Sequence, residues 1–573
     1  LHSLRRRQRQ MCIRDRTACS AVAFSSCTDL TEHIYDQLTD ETVDVTDERD
    51  VNSMMGEAYA QLRYLYWGWN GYFDLMEECS DTYMTPKRIG VGWGDLYVLM
   101  HKHEWTSSLG HIDPLWSYAY SGISYANKCL DVLPETGNPQ AQMRFLRALN
   151  YYILLDAFRN VPLETTQDLE EGYLPQQSDA ATIFQFCVDE LNAIKDELGT
   201  DKYHGYPNRY AACMTLAKLY LNYNAYFGTD NNDYYVKALE EVNEVINDGG
   251  YSLAPNYLDN FKDDISGSPE VIFAIPLDSK NAAHNYLVNK TLVGAGAAAY
   301  GYDGAPWNGS CAVPQFIESY DENDKRLGYT WTWGIQKKAV KNSDGTYTPQ
   351  AGDPIEFTSD DWSGTGYLNY SLNVHSIDNP GAYQQEGYRF VKSEIVPEDK
   401  GTYGNDVAFY RLADAMFIKA ECLLRLGGYN GETEQDAADL ITEVRRRSFD
   451  SEAAATRTVA QLKGGSVYDY GHREYTCEGF ANWDPSSFVA TYEGGDDIIL
   501  GGLLDDLAWE FVGEHHRRQD LIRFKMTDGR NVFNGKSWFC KDATTETHWD
   551  YFPIPYSAMK ANVSFKQNEG YKD

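Results

Sequence analysis

The chain has 573 residues and a formal net charge of −35, with 85 acidic against 50 basic side chains. Such an acidic surface repels phosphate backbones, which argues against nucleic acid as a ligand. No run of about 18 apolar residues occurs, so the sequence predicts no membrane-spanning helix. The 11 cysteines form no CxxC pair and no zinc-type cluster with histidine, so no cofactor is indicated, although the acidic surface is compatible with a structural divalent cation.

Residues 1–26 are interpreted as a signal remnant joined to foreign sequence. Leu4–Arg16 resembles translated sequencing adapter, whereas Thr17–Ser26 is typical of the end of a secretory segment. Phe24-Ser25-Ser26-Cys27 fits a loose lipobox and predicts lipidation of Cys27, which would anchor the chain to a membrane without crossing it. The alternatives are an ordinary signal peptide with a basic start, or Cys27 as a plain buried thiol.

The first half of the chain, about residues 45–250, has helical periodicity. Apolar residues recur at helical spacing, and Gly249-Gly250 provides a helix stop. The predicted helices are Asp50–Trp67, Asp113–Leu133, Pro139–Phe158, Asp179–Leu198, Asn208–Tyr226 and Tyr234–Asp248. Helix pairs of this length joined by short turns favour a TPR-like solenoid, although no strict repeat of about 34 residues is visible.

The middle of the chain, about residues 255–400, is rich in Gly, Asn, Asp, Tyr and Trp. It contains short strand-like runs, Val271–Ile275 and Tyr388–Val391. A long segment without helical periodicity is typical of function or disorder, and its aromatic content argues against disorder. Helical patterns return within about residues 405–525, at Arg411–Leu426, Thr433–Arg447 and Leu503–Phe524. The predicted fold class is mainly α: a TPR-like α/α superhelix with a loop-rich insert carrying short β-strands.

Several motifs in a fixed order resemble those of the SusD/RagB family of outer-membrane nutrient-binding lipoproteins from Bacteroidetes-type bacteria. They are Leu146-Arg147-Ala148 with Val161-Pro162-Leu163, Tyr410–Asp414 with Lys419–Glu421, Arg518–Phe524, Phe552–Pro555 and Gln567–Tyr571. The resemblance covers nearly the whole chain. It implies one SusD-like domain over residues 27–573, and a glycan-binding partner of a SusC-like TonB-dependent outer-membrane transporter rather than an enzyme. It also implies a lipid-anchored location on the outer membrane, facing the cell exterior.

Loops that interleave Trp and Tyr with planar polar side chains are the candidate binding residues. Sugars stack their C–H faces on aromatic rings and satisfy their hydroxyls with amides and carboxylates. Asp81–Asp95 places Trp93 between two glycines, with Tyr83, Arg88 and Asp95 nearby, and the resemblance implies a ligand-stacking aromatic in this loop. The second segment and its continuation supply Tyr300, Tyr302, Trp307, Asn308, Trp331 and Trp333. We predict Trp93, Trp307 and Trp331 as the stacking residues, against the alternative that each plugs a loop onto the scaffold.

Two other functions remain open at this stage. A glycoside hydrolase needs only two carboxylates about 5–10 Å apart, and 85 acids do not exclude such a pair, although no hydrolase motif surrounds one. A helical-repeat scaffold for peptide or protein ligands is compatible with the helices, but leaves the aromatic insert without a purpose. The sequence contains no GxSxG elbow and no phosphate-binding loop. It therefore favours a stoichiometric binder of oligosaccharides.

Overall fold

The computed structural model describes residues 44–282, 285–358, 364–378, 381–401, 403–475 and 485–572. Cys27 and the interpreted signal remnant lie outside these residues. Asp44–Asp573 belong to one compact unit. None of the helices in the described part of the chain has the length and apolar character to cross a membrane.

Helices dominate the described residues. The first eight are α1 (Glu48–Tyr66), α2 (Tyr72–Glu77), α3 (Asp95–Lys102), α4 (Ile112–Leu130), α5 (Asn138–Phe158), α6 (Ala180–Leu198), α7 (Arg209–Phe227) and α8 (Asn232–Asp248). The middle of the chain adds α9 (Leu287–Thr291), α10 (Pro314–Glu318) and α11 (Arg326–Thr330). The last part contains α12 (Leu412–Leu426), α13 (Glu434–Arg445), α14 (Glu452–Ala455), α15 (Val459–Lys463), α16 (Gly501–Phe511), α17 (Arg517–Arg523), α18 (Val532–Gly535) and α19 (Tyr556–Ala561).

The helix boundaries follow capping chemistry. Asp179 accepts a hydrogen bond from the Thr182 amide at the start of α6 (2.7 Å), and Asn208 caps α7 in the same way. The predicted long helices are therefore confirmed within a few residues. The prediction of one helix over Leu503–Phe524 is wrong, because Gly513 and His515 adopt left-handed backbone and separate α16 from α17.

The long helices form a continuous series in which each packs against the next. In order, α1 contacts α4, α4 contacts α5, and the series continues through α6, α7 and α8 to α12 and α13. The outer helix α8 buries one face, on which Tyr235, Ala238, Leu239 and Val242 lie inward, whereas α5, α7 and α12 are buried on nearly all sides. The expected mainly helical scaffold with only short strands is confirmed.

Short strands tie the loop-rich middle to this scaffold. They are β1 (Tyr83–Met84), β2 (Val161–Pro162), β3 (Gln177–Ser178), β4 (Val271–Ile275), β5 (Cys311–Ala312), β6 (Trp331–Thr332), β7 (Gly334–Ile335), β8 (Val340–Lys341), β9 (Tyr347–Thr348), β10 (Asn369–Tyr370), β11 (Arg389–Phe390), β12 (Val407–Arg411), β13 (Gly471–Tyr475), β14 (Phe488–Ala490) and β15 (Trp538–Phe539). Antiparallel pairs join β1 to β5, β6 to β11 and β4 to β12. The β1–β5 pair fastens the loop after α2 to the insert.

A buried ion-pair network connects the start of the insert to the last part of the scaffold. Arg411 at the end of β12 donates to Glu270 and Glu510 (2.9 Å each) and to Glu514 (2.7 Å). Arg447 also pairs with Glu510 (2.7 Å). Burial raises the pKa of Glu510, but the arginines Arg447 and Arg411 outweigh it and hold this pKa well below its usual range.

The end of the chain folds back over the first helices. The Phe552 amide donates to the Ala157 carbonyl (2.7 Å), and Asn568 Nδ2 donates to the Phe158 carbonyl (2.8 Å). The Trp105 indole donates to the Tyr571 hydroxyl (2.7 Å). The motifs Phe552–Pro555 and Gln567–Tyr571 are therefore structural: they close the end of α5.

Candidate functional site

Six aromatic side chains form a surface that we name the aromatic platform. Trp69 is 36% exposed, and the other five rings are half-buried. They come from the end of α1, from α4 and from two loops of the insert: Tyr64, Trp67, Trp69, Tyr118, Tyr286 and Trp307. Aromatic rings held side by side at a solvent-exposed surface are unusual for packing alone, since large aromatics are mostly buried.

The platform is a continuous series of ring contacts. Tyr118 stacks on Tyr64 at 5.3 Å between centroids, and Tyr64 meets the edge of Trp67 at 5.1 Å. Tyr286 connects Trp67 (5.4 Å) to Trp307 (5.1 Å). Trp69 closes the series by contacting both Tyr286 (5.9 Å) and Trp307 (5.8 Å). Such contacts fix ring orientation, so the platform is pre-organised for a ligand.

Backbone contacts hold three of the four chain segments of the platform together. The Tyr286 amide donates to the Trp67 carbonyl (2.6 Å), and the Trp307 amide donates to the Asn289 carbonyl (2.5 Å). Gly68 is left-handed (φ 77°), and a Cβ there would lie 2.7 Å from Leu287 Cγ. Only glycine permits this approach of the Trp67–Trp69 turn to α9.

A buried charge cluster anchors α9 beneath these segments. Lys290 is fully buried and donates to Asp74 and to Glu78 (2.6 Å) of the neighbouring α2 region. Asp74 also accepts from the Tyr97 hydroxyl (2.8 Å) and contacts His111 Nε2 (2.9 Å). Burial raises the pKa of Asp74, but Lys290 and His111 outweigh it and lower that pKa below its ordinary value. Burial raises the pKa of Glu78, so Asp74 is the carboxylate that this cluster holds in its charged form beside Lys290. The cluster fixes α9 and both loops that flank it.

Trp93 contacts the loop that carries Trp307 and Asn308. The Trp93 indole donates to the carbonyls of Trp307 (3.1 Å) and Asn308 (3.0 Å). A Cβ at Gly309 would lie 2.6 Å from Trp93 Cζ2, so the ring also packs on that glycine. Trp93 therefore supports the loop that carries Trp307, one of the platform rings. Asn308 has left-handed backbone (φ 54°), and neither polar atom of its buried amide has a hydrogen-bond partner among the described residues.

Four other predicted residues are buried and correct the sequence-based expectation. Trp331 is 1% exposed and packs among Phe316, Phe390 and Tyr83, so its ring offers no face to a ligand. The prediction that Trp331 stacks on a sugar is wrong for this conformation, and Tyr83, fully buried on β1, is corrected for the same reason. The strand pair β6–β11 turns Trp331 into the core, and the pair β1–β5 holds Tyr83 there.

Arg88 and Tyr302 support loops instead of facing solvent. The Arg88 guanidinium donates to the carbonyls of Gly309 (3.0 Å), Tyr383 (3.0 Å) and Glu386 (2.9 Å), which fixes the backbone next to Asn308. Buried Tyr302 donates to Asn289 Oδ1 (2.5 Å). Both are positioning residues, which corrects the expectation of direct ligand contact.

The remaining predicted residues are not among the platform rings. Asp95 is exposed at the start of α3 and pairs with Lys87. Tyr300 and Trp333 line a different cleft, with Trp333 42% exposed. Their part in ligand binding stays a prediction.

Sequence reasoning missed Tyr64, Trp67, Trp69, Tyr118 and Tyr286. Tyr64, Trp67 and Tyr118 belong to or end a helical pattern, where a ring is normally a core residue. A signal was nevertheless present in Trp67-Gly68-Trp69-Asn70-Gly71, which repeats the glycine-flanked tryptophan that marked Trp93. The platform therefore draws four of its six rings from α1, the turn after it and α4, outside the insert predicted to carry the whole site.

Two groups of potential metal ligands occur among the described residues: His204 with Asp264 and Asp406, and Cys213 with Glu241 and Glu244. Asp406 already accepts hydrogen bonds from His204 (3.0 Å) and from the Leu277 amide (2.9 Å). Glu241 and Glu244 pair with Lys195. Because these carboxylates have protein partners, neither group is assigned as a metal site.

The fold and the site define a helical scaffold protein that displays a fixed set of aromatic rings to solvent. A family model described as "SusD family" matches residues 269–571, and one described as "Starch-binding associating with outer membrane" matches residues 36–221. The chain belongs to the SusD family.

Named relatives are similar over most of their length. The chain is 26% identical over 465 residues to the starch-binding protein SusD of Bacteroides thetaiotaomicron, which covers 76% of this chain and 74% of that protein. It is 22% identical over 515 residues to SusD-like protein P25 of Formosa agariphila, with 88% and 83% covered.

Solved structures share the fold. A SusD superfamily protein from Parabacteroides distasonis superposes with a TM-score of 0.67 at 19% identity, covering 93% of this chain and all of that chain (100%). Surface glycan-binding protein A from Bacteroides thetaiotaomicron, solved in complex with laminarihexaose, superposes with a TM-score of 0.59 at 18% identity, covering 91% and 99%.

Proposed function

We propose that the protein captures oligosaccharides on the aromatic platform and releases them unchanged. The observation that carries this proposal is the continuous series of partly exposed rings from Tyr118 to Trp69. A pyranose has an apolar C–H face of about the size of one such ring, and burying it there gains hydrophobic and stacking free energy. A row of rings offers successive faces to successive sugar units. The relatives named for starch and in complex with laminarihexaose support the same ligand class.

The carboxylates near the platform support binding over hydrolysis. Asp74 and Glu78 are fully buried and already paired with Lys290. A glycosidase needs a carboxylic acid and a carboxylate on either side of an accessible sugar bond. Asp74 and Glu78 are paired with a cation and shielded from solvent, so they do not meet this need. They serve instead to hold α9.

Hydrogen bonds would set the ligand's orientation on the rings. Arg63 lies over the Tyr64 ring, with its Cζ atom 4.8 Å from the centroid, and donates to the Tyr64 hydroxyl (2.9 Å). Asn308, next to Trp307, holds an amide whose pairing within the described residues is incomplete. Such groups are costly to leave unpaired, by about 1–3 kcal/mol each. We assign Asn308 to hydroxyl recognition after a side-chain rotation.

The experiment is affinity electrophoresis of the full chain through gels containing a panel of neutral polysaccharides, with chromatography of the same mixtures for products. Trp69→Ala and Trp307→Ala each remove one ring from the platform. A central aromatic anchor contributes about 2 kcal/mol or more, so each variant should weaken binding on the order of 30-fold. Tyr203→Ala, which changes a 67% exposed ring on the loop before α7, is the matched control and should migrate like the wild type.

Each outcome separates the functional alternatives. Retardation by one polysaccharide that is lost in both Trp variants, without released sugar, supports the proposal. Released oligosaccharide would make the protein a hydrolase. Unchanged migration of the wild type on every polysaccharide would refute glycan capture and favour a peptide- or protein-binding scaffold.

We further propose that Cys27 is lipidated, that this anchor holds the chain on the outside of the outer membrane, and that a SusC-like TonB-dependent transporter receives the ligand. The family resemblance and the outer-membrane description of the matching family model support this arrangement. Cys27→Ala should release the protein from the membrane fraction and abolish incorporation of labelled fatty acid. Co-purification of a TonB-dependent transporter with the anchored chain tests the partnership, and recovery of the chain alone from gently solubilised membranes would contradict it.

A further inference from the structure

A second aromatic surface lies in a cleft that shares no residue with the platform. The cleft has a volume of about 720 Å³, within the range of small-molecule sites. Its walls come from the β6 region, the β8–β9 hairpin and the loops at 256–262 and 391–397. The side chains that the argument uses are Tyr300, Tyr329, Thr332, Trp333, Tyr347 and Gln350.

Trp333 supplies a fixed and open ring to this cleft. It stacks on Tyr388 with 5.2 Å between centroids and 9° between planes, while 42% of the residue remains exposed. The stack restrains one face of the indole and leaves the remaining surface to solvent. A rotamer held in this way loses little entropy when a ligand stacks on it, which favours binding.

A planar amide lies in the same cleft. Gln350 has left-handed backbone (φ 55°), a conformation that costs a non-glycine residue about 1–2 kcal/mol. Its amide N–H donates to the Ala299 carbonyl (3.0 Å), and its side-chain Nε2 donates to Thr332 Oγ1 (3.0 Å). Nε2 also lies 3.4 Å from the Tyr300 hydroxyl. Backbone strain clusters at ligand-binding and other functional sites, and here it places an amide beside the Tyr300 hydroxyl.

The charges of the cleft select for a neutral ligand. Lys262 pairs with Asp259 (2.6 Å), and buried Lys392 pairs with Glu514 (2.5 Å). Both lysines that line the cleft therefore have acidic partners, whereas Glu394 lies in its wall. Among the described lining residues, an anionic ligand would meet Glu394 and no cation without an acidic partner. Aromatic faces, hydroxyls and an amide without net positive charge match an uncharged sugar.

We propose that this cleft is a second saccharide site, which holds one or two neutral sugar units on Trp333 and Gln350 independently of the platform. Two sites on one protein give a long polysaccharide two points of attachment. The second attachment is intramolecular, so it raises the overall affinity for a long chain without affecting that for a short one.

The test measures binding of the full chain to soluble starch and laminarin and to their short oligosaccharides. Trp333→Ala should lower affinity for the polysaccharide about 3- to 10-fold and leave affinity for the short oligosaccharide unchanged. A Trp69→Ala/Trp307→Ala protein should keep weak binding that disappears when Trp333→Ala is added. Trp333→Phe, which retains a stacking ring, should behave close to the wild type. Tyr492→Ala, a change at a 73% exposed ring outside both sites, is the control.

The outcomes separate this inference from the proposed function. Loss of all binding in the platform double variant, or residual binding that persists after Trp333→Ala, would overturn the second site while leaving glycan capture on the platform intact. A wild-type chain that binds neither polysaccharide nor oligosaccharide would overturn both. Residual binding that depends on Trp333 establishes the second site.

Discussion

Replacing Lys290 by Met tests whether the buried charge cluster holds the platform in place. Lys290 is fully buried between Asp74 and Glu78, which are also fully buried. Methionine preserves most of the side-chain volume but leaves two carboxylates without their cation. Breaking a buried ion pair from one side costs about 3–5 kcal/mol, because the remaining charge is desolvated and unpaired.

This cost translates into a measurable melting shift. The entropy of unfolding is about 2.1 cal/mol/K per residue, so roughly 530 residues give about 1.1 kcal/mol/K. The melting temperature should therefore fall by about 3–5 °C, which differential scanning calorimetry resolves. Because α9 carries the flanking loops of Tyr286 and Trp307, glycan binding should weaken in the same variant.

The pH dependence of the defect identifies its cause. In the wild type Lys290 lowers the pKa of Asp74, whose stabilising charge is therefore retained as the pH falls from neutral to the ordinary range of an aspartate. Without Lys290 burial raises the pKa of both carboxyls above their unfolded values. The folded variant then takes up protons between neutral pH and about pH 4, where the unfolded chain does not, so its deficit should shrink in acid.

Two further variants complete this test. Adding Glu78→Gln to Lys290→Met should restore part of the lost stability, since it removes one unpaired buried charge. Lys341→Met breaks an exposed pair with Glu398 and should change stability by less than about 1 kcal/mol. An unchanged melting temperature in Lys290→Met, or a deficit that is the same at pH 5 and pH 8, would refute the reasoning.

Three other outcomes follow from buried groups. Burial raises the pKa of Glu77 to about 8, although hydrogen bonds from two backbone amides lower it. The folded state therefore binds a proton that the unfolded chain loses above about pH 4.5, and stability should fall between pH 5 and 8. Glu77→Gln should flatten that slope in pH-dependent melting curves. Arg411→Met removes a buried partner of three carboxylates and should cost about 3–5 kcal/mol, read as a lowered denaturant midpoint, and a midpoint equal to the wild type would contradict the assigned network. The described cysteines are all buried: Cys79, Cys129, Cys187, Cys213, Cys311, Cys422 and Cys540. Burial raises the pKa of Cys79 to about 12, which suppresses its reactive thiolate. Mass spectrometry after brief iodoacetamide treatment should therefore find these cysteines unmodified in the native protein and alkylated in denaturant.

The helical scaffold is largely readable from the sequence because its signals are local. Capping residues such as Asp179 and Asn208 stand where the helices begin, and apolar spacing follows the buried faces. Sequence reasoning misses the separation of α16 from α17 because His515 adopts a left-handed backbone conformation, and a histidine gives no sequence signal for that conformation. Local propensity indicates that this segment is helical. The break between its two helices is stabilised by a non-local contact, in which Glu77 accepts hydrogen bonds from the Gly513 and His515 amides.

The site was predicted less completely because a ring's sequence context does not reveal which way it points. Trp331 and Trp333 are two residues apart and would share one face of a regular strand, yet one is buried and the other exposed. The strand β6 ends at Thr332 and Gly334 adopts left-handed backbone, so Trp333 does not follow Trp331 into the core. Trp331 itself is held there by the pairing of β6 with β11, which joins segments about 60 residues apart. Tyr118 and Tyr286 join the platform only when the chain folds, because the rings that they contact are distant in sequence. The residues beside them in the sequence therefore do not identify them as platform residues.

Residues 552–571 are synthesised last, so the contacts that they make form last. The hydrogen bonds that Trp105, Ala157 and Phe158 make to Tyr571, Phe552 and Asn568 therefore await this segment. At about 5–20 residues per second, a ribosome needs roughly half a minute to two minutes to deliver it. During that time the emerging N-terminal helices keep apolar surface uncovered, and the nascent chain stays open to chaperones.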